Sequence, residues 1–346
     1  MKPESAKKES IANLGEFGLI DRITSDFVTQ NESTIKGIGD DAAVIKVVDK
    51  AVLITTDMLM EGVHFDVMYT PMKHLGYKTI VVNISDIYAM NAIPTHVTVS
   101  IALSSKYDIE AIDELYSGIK KACEFYNIDL IGGDTTTTVK GLGISVTALG
   151  VANEEDIVYR NGGRPGNIIC LTGDVGSAYL GLQILEREKR LYLDNPGIQP
   201  ELVQHQYLIE RQLKPEARRD SIGFFKKNKF KPTSMIDLSD GLSSDLFHLC
   251  KQSGVGAYIE ESKIPIHPDA EQLAIDFRMD PITCALNGGE DYELLFTLDP
   301  KDLEKVRFMP DVSIIGELVD QKDGITLHTS GGNIHALKAQ GWNHFE

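Results

Sequence analysis

Residues 37–45 read GIGDDAAVI, with two carboxylates side by side after a glycine turn and before an apolar run. Adjacent like charges repel unless a cation sits against them. Further acids recur along the chain: Asp57 closing "LITTD", Asp86 inside an apolar stretch, Asp134 closing "LIGGD", and Asp237 and Asp240 in "IDLSDG". Hard divalent cations take oxygen ligands, and Mg²⁺ typically combines one or two carboxylates with substrate phosphates. Acids at the C-terminal ends of strands would converge on the crevice where α/β sheets bind ligands. The set therefore suggests a multi-metal, phosphate-handling site. Taken singly, an Asp after a strand reads first as a turn former or helix N-cap, and on pattern alone both readings stay open.

Asp86 differs from the others. Val81, Val82, Ile84, Ile87, Tyr88 and Met90 surround it, so burial is expected. A buried carboxylate is costly unless paired. The nearby sequence offers no Arg and only Lys78, which makes a metal ion the simpler remedy.

Other chemistries lack their signatures. There is no GxxxxGK[ST] phosphate loop, no protein-kinase set, no HExxH, no paired CxxC and no GxSxG elbow. "DLSDG" resembles the opening of an EF-hand loop but has no Glu at the twelfth position. What remains is metal-assisted chemistry that relies on positioning.

The elements that must hold these acids read as alternating strands and helices. "AVLITTD" (51–57) is a strand ending in its acid, 75–92 a helix closed by Pro94, and 95–103 an alternating strand. Residues 108–127 form an amphipathic helix, followed by the strands "IDLIGGD" and "GISVTALGVA". The Gly, Pro and Arg texture of "YRNGGRPGN" (159–167) suits a linker. A second α/β series follows, with the strand "IICLTG", the helix "SAYLGLQILERE", helical segments to about residue 227, the strand-like "SMIDLSDG", a helix from 242, and "GGEDYELLFTLD". Residues 189–206 read as a loop and a short helix without legible chemistry. The expected division is a polar head at 1–12, an N-terminal domain at 13–155 and a C-terminal domain at 156–346.

Composition bounds the partners. Thirty-four basic residues against 51 acidic give a net charge of −17, which should repel nucleic acid and anionic lipid. No stretch is apolar for long enough to span a bilayer, and the polar N-terminal residues show no secretory pattern. Cys123, Cys170, Cys250 and Cys284 lie far apart without a CxxC pair, so reduced, buried thiols in the cytoplasm are expected.

Seven segments in order carry a resemblance: "GIGDDAAV", "TTDMLMEGVHF", "VNISDIYAMNAIP", "IGGDTT", "RNGGRPGN", "IDLSDGLSSDL" and "GGEDYELLF". Together, from "GEFGLI" (15–20) to "GWNHF" (341–345), the chain resembles the thiamine-monophosphate kinase family of the AIR synthetase-like ATP-binding superfamily. The resemblance implies Mg-dependent transfer of the ATP γ-phosphoryl group to thiamine monophosphate, giving thiamine diphosphate and ADP. It implies a fold of two α/β domains and a homodimer whose N-terminal sheets pair into a barrel. It further implies several Mg²⁺ ions on Asp41, Thr55, Thr56, Asp57, Asp86, Asp134, Asp237 and Asp240. ATP contacts carry over to Tyr116, Gly133, Asp134, Arg160 and Ser239, and thiamine phosphate contacts to His64, Glu290 and Trp342.

Each of these has a plainer reading. His64 could be a satisfied core histidine between Val63 and Phe65, Glu290 a turn residue, and Trp342 a packing anchor for the C-terminus. No general base is expected, because the acceptor phosphate is already mostly deprotonated at neutral pH; Arg160 would add fixed positive charge. Rival readings are a superfamily relative or a non-catalytic nucleotide sensor. A selenophosphate synthetase would need a reactive Cys or selenocysteine and a Lys near the N-terminus, whereas the first cysteine is Cys123, and a hydrogenase-maturation relative should end in a cysteine-bearing tail, whereas this sequence ends "GWNHFE". A sensor would be expected to have lost some of these acids.

Overall fold

The structure, a computed structural model, describes residues 22–36, 44–47, 50–197 and 199–338. The chain divides into two compact units, one of Met1–Ile84 with Ile93–Val151 and one of Ser85–Ala92 with Ala152–Glu346.

In the first unit a short β1 (Thr34–Lys36) pairs with β2 (Val44–Ile45). Among the described residues, the main sheet has four strands: β3 (Ala51–Met60), β4 (Ile93–Leu103), β5 (Asp129–Thr137) and β6 (Leu142–Ala152), in the order β3-β6-β4-β5. β4 and β5 are parallel and β4 and β6 antiparallel. The parallel pair requires a crossover, supplied by helix α2 (Ile109–Tyr126). Asp108 caps α2 by accepting from the Ala111 N–H, and Asn127 closes it in the left-handed conformation at φ 59°.

Helix α1 (Met72–Ala89) is apolar on nearly every side and buried over most of its length. It meets α2 where Gly76 and Gly118 face the other helix's backbone. A Cβ on Gly76 would stand 1.9 Å from the Leu115 carbonyl oxygen, and one on Gly118 1.9 Å from that of Lys73. Only glycine permits so close a crossing.

Two acids expected at strand ends lie inside them instead. β3 continues past Asp57 to Met60, and β5 past Asp134 to Thr137. The β-branched threonines 135–137 suit a pleated surface, and both carboxylates lie exposed, so nothing stops the ladder there.

Among the described residues, the second unit carries seven strands: β7 (Ile168–Thr172), β8 (Ser234–Asp237), β9 (Val255–Glu260), β10 (Leu294–Leu298), β11 (Val312–Asp320), β12 (Ile325–His328) and β13 (Ile334–Ala336). Their order is β13-β12-β9-β11-β7-β10-β8, antiparallel except for the parallel pair β9–β12. The fold is thus two α/β units with mixed sheets, and among the described residues the sheet of the first unit does not close on itself.

Helices α3 (Ser177–Asp194), α4 (Gln206–Leu213), α5 (Arg219–Lys227), α6 (Leu242–Ser253), α7 (Pro268–Asp276), α8 (Pro281–Asn287) and α9 (Leu303–Val306) complete the unit. Its core joins Ile169 and Leu171 of β7, Leu242, Leu246 and Leu249 of α6, and Leu295 of β10. α3 extends six residues beyond the expected helix. All four cysteines are buried and unpaired.

Candidate active site

In the second unit two loops lie side by side because their strands are neighbours. β8 ends at Asp237, opposite Leu294 at the start of β10. The ladder continues into the loops: the Leu238 N–H donates to the Glu293 carbonyl at 2.8 Å, Tyr292 N–H to Leu238 at 2.9 Å, and Glu290 N–H to Ser239 at 2.8 Å. "IDLSDG" and "GGEDYELLF" are therefore one structural feature. Gly289 allows the approach, since a Cβ there would lie 2.4 Å from the Ser239 carbonyl oxygen. Glu290 and Tyr292 sit at φ 66° and 52°. Such left-handed non-glycine residues persist only where surrounding contacts enforce them, and they cluster at functional sites.

Asp237 is 3 % exposed, and Ser85 Oγ donates to its Oδ2 at 2.6 Å. Burial, and then the charge of Asp86, push its carboxyl well above the ordinary range, against the Ser85 bond and the positive charge of Arg160. Asp86 itself is half-buried rather than buried. It and Met90, one turn on, are the positions between 80 and 90 that reach towards the surface. Asp245, on α6, is pushed up to about 8 by burial and by the charges of Asp237 and Asp240, although the Asp240 and Gly241 N–H groups both donate to its Oδ2 at 3.2 Å. Ser239 and Arg160 are exposed and Asp240 half-buried.

This acid set suits a hard cation. The repulsion among Asp86, Asp237, Asp240 and Asp245 is what a divalent ion would relieve, and the donors are oxygens. Among the described residues, no group of three or more His, Cys, Asp or Glu side chains gathers to make a metal cage.

In the first unit, Thr55 and Asp57 lie on β3, where the Asp57 N–H donates to Asn83 Oδ1 at 3.0 Å. Thr56 Oγ1 is engaged, donating to the Val146 carbonyl at 2.9 Å. Gly133 and Asp134 lie on β5, where Asp134 stands opposite Ser100. His64 follows β3 in a tight turn and is half-buried. Its Nδ1 accepts from the Met60 N–H at 3.0 Å, so the neutral ring carries its proton on Nε2. Tyr116 is 6 % exposed on α2, with the Phe27 ring edge-on at 6.5 Å. Asp41 and Trp342 lie outside the described residues.

Sequence reading missed the residues that hold the Glu290 loop. Arg211 and Gln212 at the end of α4, and Arg218 just beyond it, grip three of its acids. Arg211 Nη1 lies 3.0 Å from Glu293 Oε1, and Arg218 Nη1 3.2 Å from Glu293 Oε2. Arg211 Nη2 donates to the carbonyls of Asp174 and Asp291 at 3.1 and 3.2 Å. Gln212 Nε2 donates to Glu290 Oε2 at 2.6 Å. Thr172 Oγ1 donates to Glu293 at 2.6 Å and accepts from the Leu294 N–H at 2.8 Å. The signal was present on the other side, because Glu290, Asp291 and Glu293 directly precede an apolar strand and buried acids need cations from elsewhere.

Two family models match the chain: the N-terminal domain of AIR synthase related proteins over residues 39–152, and the C-terminal domain over 164–328. A thiamine-monophosphate kinase of Aquifex aeolicus is 36% identical over 338 residues, covering 97% of this chain and 99% of that protein. The chain belongs to the thiamine-monophosphate kinase family. A second member, from Bacillus subtilis, is 34% identical over 96% of this chain and all (100%) of its own length. Among solved structures, one described as AaThiL complexed with AMPPCP and TMP superposes with a TM-score of 0.74 at 33% identity, covering 98% of this chain and 100% of its own. No described helix is long and apolar enough to cross a membrane.

Proposed function

We infer that this chain is a thiamine-monophosphate kinase, an ATP-dependent phosphotransferase whose acceptor is itself a phosphate. The observation that carries the reading is the joining of the Asp237 and Glu290 loops, which brings acids suited to phosphate-bound cations next to Glu290, the carboxylate we assign to the acceptor. Full-length identity to family members, and the family structure holding AMPPCP and TMP, support the same substrates.

Both substrates are anions. Two unit charges 4 Å apart repel by about 1 kcal/mol in water and about 4 kcal/mol at an effective dielectric near 20. We assign Asp41, Thr55, Thr56, Asp57, Asp86, Asp134, Asp237 and Asp240 to hold Mg²⁺, which when bound would offset that repulsion and polarise the transferring phosphoryl group. Tyr116, Gly133, Asp134, Arg160 and Ser239 would contact ATP, with the Arg160 guanidinium adding fixed positive charge. His64, Glu290 and Trp342 would contact thiamine monophosphate. The acceptor oxygen needs no base at neutral pH. Alignment of acceptor and donor then supplies the main protein contribution, and the transfer is direct and in line. In a single turnover with [γ-³²P]ATP, the label should pass to thiamine diphosphate with none retained on protein; a labelled protein intermediate would refute direct transfer.

The division of labour would follow 13–155 for the ATP, metal and dimer functions and 156–346 for metal and substrate. A homodimer built on the first sheet is supported by β3, whose Val52, Ile54, Met58 and Met60 are exposed. Pairing two such sheets would form the expected barrel. The acidic balance favours small-molecule partners over nucleic acid, and the buried unpaired thiols accord with the cytoplasm.

A further inference from the structure

We propose that Gln212 is the positioning residue for Glu290, fixing the carboxylate that receives thiamine monophosphate; this rests on the assignment of Glu290 above. Gln212 is 4 % exposed, and its Nε2 donates to Glu290 Oε2 at 2.6 Å, short for an amide donor. The bond spans 78 positions in sequence, so no local turn accounts for it. The donor is placed rigidly. α4 lies against α3 at Gly181, where a Cβ would stand 2.0 Å from the Leu208 carbonyl oxygen. The preceding residue, Arg211, is bound to Glu293 and to the Asp291 carbonyl.

The receiving residue needs such support. Glu290 occupies left-handed backbone at φ 66°, and its N–H is committed to Ser239. A Glu side chain has several accessible rotamers. Arg211 fixes the backbone and acids beyond Glu290, whereas Gln212 reaches the Glu290 carboxylate itself. α4 thus holds the loop with one residue and aims its functional side chain with the next.

The test is a double-mutant cycle read by calorimetric binding of thiamine monophosphate to the full chain in the presence of Mg²⁺ and AMPPCP. Gln212→Met keeps the length of the side chain and removes the donor. Losing a hydrogen bond to a charged group should weaken thiamine monophosphate about ten-fold or more, with AMPPCP affinity held within about two-fold. In a Glu290→Gln background, Gln212→Met should add less than about two-fold, because its effect runs through Glu290. Gln212→Glu, which sets a like charge against Glu290, must weaken binding at least as far, and it carries the test if the Met variant does not fold. Multiplicative effects in the double variant, or a normal Gln212→Met protein beside a weakened Glu290→Gln one, overturn the inference and leave the Glu290 assignment standing. Normal binding by Glu290→Gln overturns that assignment, and this inference with it.

Discussion

Replacing Arg211 by Met tests whether the buried ionic cluster holds the second unit together. The Arg211 side chain is 14 % exposed and Glu293 2 %, and they meet at 3.0 Å. Met keeps most of the stem's packing and removes the charge. Breaking a buried pair by deleting one partner typically costs about 3–5 kcal/mol. Arg218 would still hold the other Glu293 oxygen, which argues for the lower end. The carbonyls of Asp174 and Asp291 would lose their donor, which argues for the upper end. The expected loss is about 4 kcal/mol. For a unit of about two hundred residues, each kcal/mol moves the melting temperature by about 2–4 °C, so the shift should be about 8–16 °C. The comparison is Arg307→Met, which removes an exposed pair with Glu304 at 64% and 75% exposure and should change stability by less than about 1 kcal/mol. Scanning calorimetry of both variants decides it. If Arg211→Met melts no lower than Arg307→Met, the cluster is not a structural anchor.

Burial raises the Asp291 carboxyl to about 7 against the charge of Arg211 and the Gly176 and Ala178 N–H groups. Since the folded state then binds more protons than the unfolded state between pH 4 and 7, Asp291 lowers stability progressively as pH rises through that window and no further above it. The stability of wild type relative to Asp291→Asn, from urea titrations, should therefore fall from pH 4 to pH 7; a difference independent of pH would contradict this. Gly76→Ala forces a methyl group into the Leu115 carbonyl and should destabilise by about 1–3 kcal/mol or prevent folding, and an unchanged urea midpoint would show that the helices can separate freely. If the exposed face of β3 pairs two copies, Ile54→Glu should shift sedimentation from dimer to monomer, whereas an unaltered dimer would place the interface elsewhere.

Much of the fold was legible because local signals agreed with one another. α2 shows its amphipathic face, the N-cap Asp108 and a left-handed terminal Asn127. Strand ends were less legible: Asp57 and Asp134 look like stops, yet each lies exposed on a strand that continues. The end of α3 was missed for a related reason, since Leu191, Tyr192 and Leu193 are exposed and give its final turns no buried stripe to read. At the site, acids could be picked out by motif, and the link between the Asp237 and Glu290 loops followed from the pairing of β8 with β10. Arg211, Gln212 and Arg218 could not be found locally, because "RQLKPEARRD" reads as a solvated helix end. Their role exists only through partners some eighty positions away.

Phosphoryl transfer to a phosphate acceptor is tested most simply by ³¹P NMR of the purified protein with MgATP and thiamine monophosphate. Thiamine diphosphate and ADP signals should grow together, be absent with EDTA, and not form when free thiamine replaces the monophosphate. Binding of ATP without any thiamine diphosphate under these conditions would contradict it.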